Sequence, residues 1–285
     1  MSFSSKVKNE VAKLMDENKC CQIAELSALI KMNGTIRILG KNNIGIKLTT
    51  ENAAIARKIF SLIKSNFDFN TKVAMIKNKQ LKKNYSYTLH VDSNTASEDI
   101  LRKLMIVSEK DNVPRINNRI PSSIIKNTCC KRAYLRGVFL GGGSISDPEK
   151  TYHLEFVTHH KNLSQDTERL LTSFQINPKT VIRKSNYVTY FKNSDEIGDI
   201  LSIIGAHRSL LEFMNVQIIK ETRNYVNRKV NCETANLEKT VNASLKQVSY
   251  IKYLDDTVGI ENLPANLKEV ARLRMEHPEA SLGSW

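Results

Sequence analysis

The sequence has no apolar run long enough to cross a membrane. A transmembrane helix needs about 18 to 20 consecutive apolar residues, and no stretch of these 285 residues approaches that length. The first ten residues also lack the apolar segment that a secretory signal peptide requires. We therefore expect a cytoplasmic protein that does not have a membrane as its partner.

Acidic residues are few relative to basic ones. The chain has 29 Asp and Glu against 43 Lys and Arg, which gives a net charge of +14 and an isoelectric point near 9.5. Such an excess favours a polyanionic partner, of which nucleic acid is the commonest. Charge alone leaves open the alternative of a generally basic cytoplasmic protein.

Cysteine is scarce and odd in number, with Cys232 and the adjacent pairs Cys20-Cys21 and Cys129-Cys130. Without an export signal, five cysteines indicate reduced thiols. The pairs lack the C-x-x-C spacing of a zinc site, and neighbouring side chains on a helix diverge. No Ser-His-Asp or Cys-His arrangement is legible from the spacing. We expect buried thiols at helix starts, no catalytic residue, no metal site and no cofactor.

The chain contains an internal repeat. When the sequence is shifted by 109 positions, a run of the first copy meets identical residues in the second. The chain therefore contains a duplicated unit of roughly half-domain size, and the fold has to be interpreted from this duplication. The matched positions are Asn18, Cys20, Cys21, Ala24, Leu26, Gly34 and Ile36 with Asn127, Cys129, Cys130, Ala133, Leu135, Gly143 and Ile145.

Small residues predict that the repeated helices pack together. Gly137 and Gly141 are four residues apart and so share one helix face, which leaves room for a second backbone. We predict that Ala28, Gly34, Gly137 and Gly141 form the interface between the repeats. Because glycine adopts the left-handed C-cap conformation freely, residues 141–143 are also expected to end the second helix in that conformation.

Each copy shows the pattern helix, hairpin, helix, hairpin, helix, which predicts an α+β fold. From residue 209 onward only helical periodicity is present. The predicted domains are a first repeat at 1–110, a linker at 111–125, a second repeat at 126–208 and a helical C-terminal domain at 209–285.

The repeat architecture resembles the LAGLIDADG homing-endonuclease fold, with segments 26–34 and 135–143 at the motif positions. The resemblance implies two helices at a pseudo-twofold axis and hairpins that form a saddle over DNA. It also implies one metal-binding acidic residue near the end of each motif. Asn33 and Gly142 occupy those positions and cannot supply the anionic oxygen that a hard cation requires. We therefore expect no enzyme, and a metal-dependent DNA endonuclease is the disfavoured alternative.

The C-terminal region resembles the WhiA family in R-N-Y-V-N-R-K-V-N-C-E-T-A-N-L-E-K-T (223–240), L-P-A-N-L (263–267) and H-P-E-A-S-L (277–282). The resemblance covers essentially the whole chain. It implies a nucleoid-associated DNA-binding regulator with a helix-turn-helix, which acts in sporulation gene control or in cell division and chromosome segregation. In that family the segment near Pro278 leads into the helix that enters the major groove. We expect residues 209–285 to be truncated before this recognition helix. Either the sequence is a truncated or frame-shifted form, or the protein has lost specific DNA binding.

Basic residues supply the candidate phosphate contacts to double-stranded DNA. One group lies in the second hairpin, where a solvated hairpin tip is the alternative. The other lies on the C-terminal helices, where ion pairs with Glu221, Glu233 or Glu238 are the alternative. Other regulatory or cell-division proteins are further candidate partners, and a protein-interaction scaffold without specific DNA binding is the alternative function. The DNA-binding candidates are Lys77, Lys79, Lys82, Lys83, Arg223, Arg228, Lys229, Arg272 and Arg274.

Overall fold

The computed structural model describes residues 1–38, 44–67, 72–77, 85–91, 94–110 and 113–278. The chain forms two compact units, Met1–Gln217 and Ile218–Trp285. Among the described residues, no helix combines the length and apolar character needed to cross a membrane.

The first unit begins with the first repeat and a small two-stranded sheet. Asn52 caps the start of the helix at Ala53–Asn66. Its side chain accepts hydrogen bonds from the amides of Ala54 and Ile55, at 2.8 and 3.3 Å. The elements are α1 (Phe3–Val11), α2 (Lys19–Asn33), β1 (Gly34–Ile38), β2 (Ile44–Thr50), α3 (Ala53–Asn66), β3 (Lys72–Lys77), β4 (Tyr85–Val91), α4 (Asn94–Lys103), β5 (Val107–Lys110) and β6 (Val113–Ile116).

The second repeat has the same order of elements. Its sheet runs β7-β8-β10-β9, and the first repeat's sheet runs β1-β2-β4-β3, with neighbouring strands antiparallel in both. The predicted α+β class and the duplication are therefore confirmed. The elements are α5 (Thr128–Gly142), β7 (Gly143–Ile145), β8 (Leu154–Thr158), α6 (Lys161–Thr172), β9 (Lys179–Arg183), β10 (Asn186–Phe191) and α7 (Ser194–Ile204).

Helices α2 and α5 pack closely along each other at the centre of the first unit. A Cβ atom added at Gly137 would lie 2.5 Å from the carbonyl oxygen of Glu25 and 2.7 Å from Cβ of Ala28. One added at Gly141 would lie 2.5 Å from Cβ of Met32. All three distances are far below van der Waals contact, so these positions need glycine for the helices to approach this closely. Ala28, Gly137 and Gly141 lie at the α2–α5 contact.

Gly34 and residues 141–143 are placed differently from the prediction. The expected left-handed C-cap is wrong, because Gly143 caps α5 with φ −82° and ψ 151° and leads directly into β7. Gly34 has the same extended conformation, and its added Cβ would meet Ile30 of its own helix. These glycines avoid collisions at a helix-to-strand junction, since a Cβ at Gly142 would lie 2.5 Å from the carbonyl oxygen of Val157.

Three short strands, β5, β6 and β7, lie where the sequence predicted none. β6 lies within the predicted linker and pairs with β5, and β7 pairs with β8 through Gly143 and Phe156. Pro114 in β6 is compatible with a strand because an edge strand tolerates a residue without an amide hydrogen.

The second unit is helical in its described part. Helix α8 (His207–Thr257) starts in the first unit and is followed by a 3₁₀ turn (Ile260–Asn262) and α9 (Ala265–Glu276). Gly259, with φ +85°, provides the left-handed backbone at the start of the turn. Ser244 of α8 hydrogen-bonds the carbonyl of Pro278, and Ala271 of α9 is buried.

Candidate nucleic-acid interface

Asn33 and Gly142, at the positions of the missing acids, are the last residues of α2 and α5. Asn33 lines an open groove of about 1000 Å³ formed by α1, the end of β2, the start of α3 and the ends of the central helices. Glu51 is the one carboxylate among the described residues that line it. Two carboxylates that could hold metal ions at a phosphodiester are therefore not brought together in this groove.

The groove is basic, and its cations were not among the predicted site residues. Lys8 and Lys13 come from α1 and the turn after it, and Arg57 comes from α3. Burial lowers the pKa of Lys8. Arg57 is distant in sequence from Lys8 and Lys13, so no local pattern predicts that it lies near them. The basic character of the N-terminal segment was the available signal.

The hairpin lysines are mostly outside the described residues. Lys77 is the last residue of β3 and pairs with Tyr85 across the hairpin, but its side chain is outside the description. Lys79, Lys82 and Lys83 lie in the segment 78–84, also outside the described residues. Their role in phosphate binding stays a prediction.

Arg223, Arg228 and Lys229 are exposed on α8. At 3.6 residues per turn, Arg228 and Lys229 point about 140° and 240° around the helix from Arg223, so the three do not share one face. Within the described part of the chain, none of them lies within ion-pairing distance of Glu233 or Glu238. Arg228 and Lys229, about 100° apart, remain the neighbouring pair that one phosphate backbone could contact.

Arg272 and Arg274 of α9 differ from the prediction in their surroundings. Arg272 and Lys268 both pair with the Glu261 carboxylate, and their hydrogen bonds lower the pKa of that group. Arg274 is only 4% exposed and donates to the carbonyl of Pro278 at 3.4 Å. An arginine buried in this way cannot reach a phosphate from its present position, so the expectation of a surface contact at Arg274 is wrong.

A buried ionic cluster, also absent from the predicted residues, lies at the repeat axis. Glu25 of α2 is fully buried, with Oε2 3.1 Å from Nζ of Lys58 and Oε1 3.2 Å from Nε of Arg136. Arg136 also pairs with Asp16. Burial raises the pKa of Glu25, and the two cations oppose that shift. A single glutamate in the otherwise apolar middle of α2 was the available sequence signal.

The cysteine pairs lie in the first turns of α2 and α5. Cys21 and Cys130 are buried, whereas Cys20 and Cys129 are exposed. The Sγ atoms of Cys20, Cys21 and Cys130 all lie within 4.8 Å of one another. The expectation of buried thiols holds for Cys21 and Cys130 and is wrong for Cys20 and Cys129. The spacing within each pair did not predict that the second helix brings Cys130 against the first pair.

Family models match three consecutive parts of the chain. Residues 19–107 match the WhiA N-terminal LAGLIDADG-like domain, and residues 131–223 match the WhiA LAGLIDADG-like domain. Residues 226–284 match the WhiA C-terminal HTH domain.

Curated relatives agree over almost the whole chain. The probable cell division protein WhiA of Alkaliphilus metalliredigens is 51% identical over 99% of this chain and 89% of its own length. The protein of the same name from Clostridium botulinum strain Hall is 50% identical over the same shares.

Similar solved structures include two of WhiA proteins. The crystal structure of full-length DUF199/WhiA from Thermatoga maritima is 26% identical, with a TM-score of 0.66, and covers 99% of this chain and 89% of that one. The N-terminal LAGLIDADG domain of DUF199/WhiA is 23% identical with a TM-score of 0.53, covers 72% and 92%, and supports the fold of the repeat region.

Proposed function

The chain belongs to the WhiA family, and from that premise we propose that it is a non-enzymatic regulator that binds double-stranded DNA. The observation that carries the proposal is the match of residues 226–284 to a helix-turn-helix domain. Such domains place a helix in the major groove and hold the phosphates with basic and polar side chains. The described part of this segment is the C-terminal part of α8, the 3₁₀ turn and α9.

Charge supports the same proposal. The net charge of +14 is large enough to attract a polyanion at a distance. Arg228 and Lys229 are exposed within the matched segment. Each phosphate that such a cation neutralises releases condensed counterions, so the binding would weaken with salt.

We also propose that the chain does not cleave DNA, because of the residues at the ends of the motif helices α2 and α5. Asn33 and Gly142 stand where a LAGLIDADG nuclease would carry its acids, and neither offers a carboxylate to a divalent cation. On this view the repeat region is a scaffold that has lost the metal chemistry and presents a basic groove instead.

The DNA proposal is tested by titrating the chain with duplex DNA across a range of salt concentrations. The paired substitution Arg228→Gln and Lys229→Gln should lower the slope of log K against log salt by about 0.9 for each phosphate that is no longer neutralised. Lys126→Gln with Lys150→Gln is the matched control, because it removes the same charge from exposed positions in the first unit. An unchanged slope in the α8 variant, or no binding at low salt, would overturn the proposal.

A second candidate is a protein-interaction scaffold without specific DNA binding, favoured by exposed apolar side chains on α8. Monomeric surfaces rarely expose so many large apolar groups along one element. Failure of the DNA titration together with a stable complex with a cell-division protein would favour this candidate. The most exposed of these side chains are Leu211, Tyr225, Leu237, Leu245, Tyr250 and Tyr253.

The cellular role is proposed from the names of the relatives. Curated relatives are named probable cell division proteins, and we place this chain on the nucleoid, acting in cell division and chromosome segregation or in sporulation gene control. A strain that lacks the chain should show altered septation, which the unmodified gene restores and the Arg228/Lys229 variant does not. Restoration by both genes would separate the division role from DNA binding.

A further inference from the structure

The repeat places two cysteine pairs at one end of the central helices. Cys20 and Cys21 match Cys129 and Cys130 at the repeat offset, and α2 and α5 begin one residue before each pair. Because the two helices pack along each other, their first turns meet near the repeat axis. We refer to these four side chains as the thiol cluster.

The distances within the thiol cluster follow the symmetry of the repeat. Sγ of Cys21 lies 3.9 Å from Sγ of Cys130, its repeat equivalent. Sγ of Cys20 lies within 4.8 Å of both of these sulfurs. The interaction with Cys21 lowers the pKa of Cys129, so Cys129 belongs to the same group of thiols.

We propose that the thiol cluster binds one zinc-class divalent ion between the two repeats. Zinc is held by four thiolates in a tetrahedron with Zn–S bonds of about 2.3 Å, which places neighbouring sulfurs about 3.8 Å apart. The observed 3.9 Å between Cys21 and Cys130 matches that edge. Sγ of Cys20 is within 4.8 Å of both, and the exposed Cys129 would turn its side chain toward them to complete the tetrahedron. Soft sulfur ligands in this number select zinc over the hard cations.

The surroundings of the thiol cluster favour negative charge. Four thiolates around a divalent ion leave a net charge of −2. Both helices direct their N-termini toward the cluster, and these ends carry partial positive charge. Asn18 and Asn127, the residues before the helices, make no side-chain capping bond, so no cap side chain competes with sulfur for the first-turn amides, although the amide of Cys21 donates to the carbonyl of Asn18.

The binding reaction is a simple exchange of protons for metal. Each thiol that ligates the ion loses its proton to water, the zinc keeps its charge, and no electron is transferred. Cys21 and Cys130 are 1% and 2% exposed and form the buried side of the site. Cys20 and Cys129 are exposed and leave a path for the ion from solvent.

A zinc ion at this position would join the two repeats directly. The ligands come from one helix of each copy, so the metal would tie the starts of α2 and α5 together where their central glycines do not reach. Metal binding of this kind adds to the stability of the folded state, because the unfolded chain does not hold the four ligands in place.

The experiment is a Co²⁺ titration of the reduced full chain in the absence of oxygen. Tetrahedral thiolate coordination should produce a sulfur-to-cobalt charge-transfer band and intense d–d bands that saturate at one ion per chain, disappear when Zn²⁺ is added, and release protons. Cys129→Ser should weaken Co²⁺ binding at least tenfold and reduce the charge-transfer intensity. Because Cys129 is exposed, this variant should keep the circular dichroism spectrum of the unmodified chain.

Cys232→Ser is the matched control, since Cys232 is an exposed cysteine of the second unit. It should leave the cobalt spectrum unchanged. The proposal is overturned if the unmodified chain gives no charge-transfer band, or if Cys129→Ser binds Co²⁺ as tightly as the unmodified chain. Recovery of a Cys21–Cys130 disulfide from chain purified under reducing conditions would overturn it as well, because the buried ligands would then be consumed.

Discussion

Glu25 shows how a single residue can stabilise the contact between the repeats. Its buried carboxylate lies between Lys58, which is 3% exposed, and Arg136, which is 7% exposed. Arg136 belongs to α5 and Glu25 to α2, so the cluster crosses the repeat axis. Within the described residues, burial raises the pKa of Glu25, and the charges of these two cations oppose that rise more than their hydrogen bonds to it do. Charge compensation, more than hydrogen bonding, is therefore what this glutamate supplies.

Removing the carboxylate should be costly. Glu25→Ala leaves the buried Lys58 without its carboxylate and leaves Arg136 with Asp16 as its ion-pair partner, and we expect the free energy of unfolding to fall by about 3–5 kcal/mol. Urea unfolding of both proteins at neutral pH measures the change. Glu149→Ala, at an exposed position, is the control and should change it by less than about 0.5 kcal/mol. Equal effects of the two substitutions would show that the cluster is not a stabilising unit.

Lys31 predicts a pH dependence of stability. Burial lowers its pKa to about 8, against an ordinary 10.5, although Asp166 opposes the shift. Between pH 8 and 10.5 the unfolded chain therefore binds more protons than the folded chain. Below pH 8 Lys31 is charged in both states, and the folded state bears the full free-energy cost of burying that charge. As pH rises from about 8 toward 10.5 this penalty is relieved, by at most about 1.4 kcal/mol per pH unit.

The comparison with Lys31→Met isolates that contribution. Other titrating groups cancel when the two proteins are unfolded in urea at pH 8, 9 and 10. The unmodified chain should gain stability relative to the variant as pH increases through this range. A constant difference across the three pH values would contradict the lowered pKa. Lys31 donates a hydrogen bond to the carbonyl of Arg119 in both its charged and its neutral form, because a neutral amine still donates. This bond therefore does not contribute to the change with pH.

At the scale of the elements, we predict that replacing glycine with alanine changes stability in opposite directions at Gly137 and Gly198. Gly137→Ala adds a methyl group that meets Glu25 and Ala28 of α2, and overpacking of this kind costs about 1–3 kcal/mol. Gly198→Ala in α7 places its methyl group at an ordinary 3.6 Å from Leu210, and alanine is the better helix former by up to about 1 kcal/mol. Thermal and urea unfolding should therefore show a loss for the first and a gain for the second. A gain at both positions would mean that the close approach of α2 and α5 is not required.

Much of this element-scale architecture could be predicted from the sequence, because its signals are local or repeated. Helical glycine spacing and the 109-residue offset predicted the central helices and the duplicated sheets. The strands β6 and β7 were missed because a Pro-containing segment and a glycine run read locally as turn and cap, and pairing across the sheet decides their conformation. The sequence also failed to predict which side chains come close together. The thiol cluster and the groove cations each form where two segments that are distant in sequence meet in the fold.

At the scale of the whole molecule, the two units differ in how much of them is buried. The first unit contains nearly all of the buried apolar residues among those described. In the second, Ala271 and Arg274 of α9 and Ser244 of α8 are the buried residues of the described part. Local opening of a segment becomes easier as the segment buries less apolar surface. The units should therefore differ in opening free energy, although one continuous helix belongs to both.

Hydrogen exchange followed by mass spectrometry measures that difference. Amides of 218–257 should exchange well before those of α2 and α5, which lie in the core of the first unit. Duplex DNA at low salt should slow exchange in the second unit if the helix-turn-helix region binds it, because ligand binding to the folded state lowers the open population. The Arg228→Gln and Lys229→Gln variant should show less of this protection, while its exchange without DNA stays the same. Equal exchange rates in the two units would contradict the difference in opening, and DNA protection confined to the first unit would place binding at the basic groove of Lys8, Lys13 and Arg57.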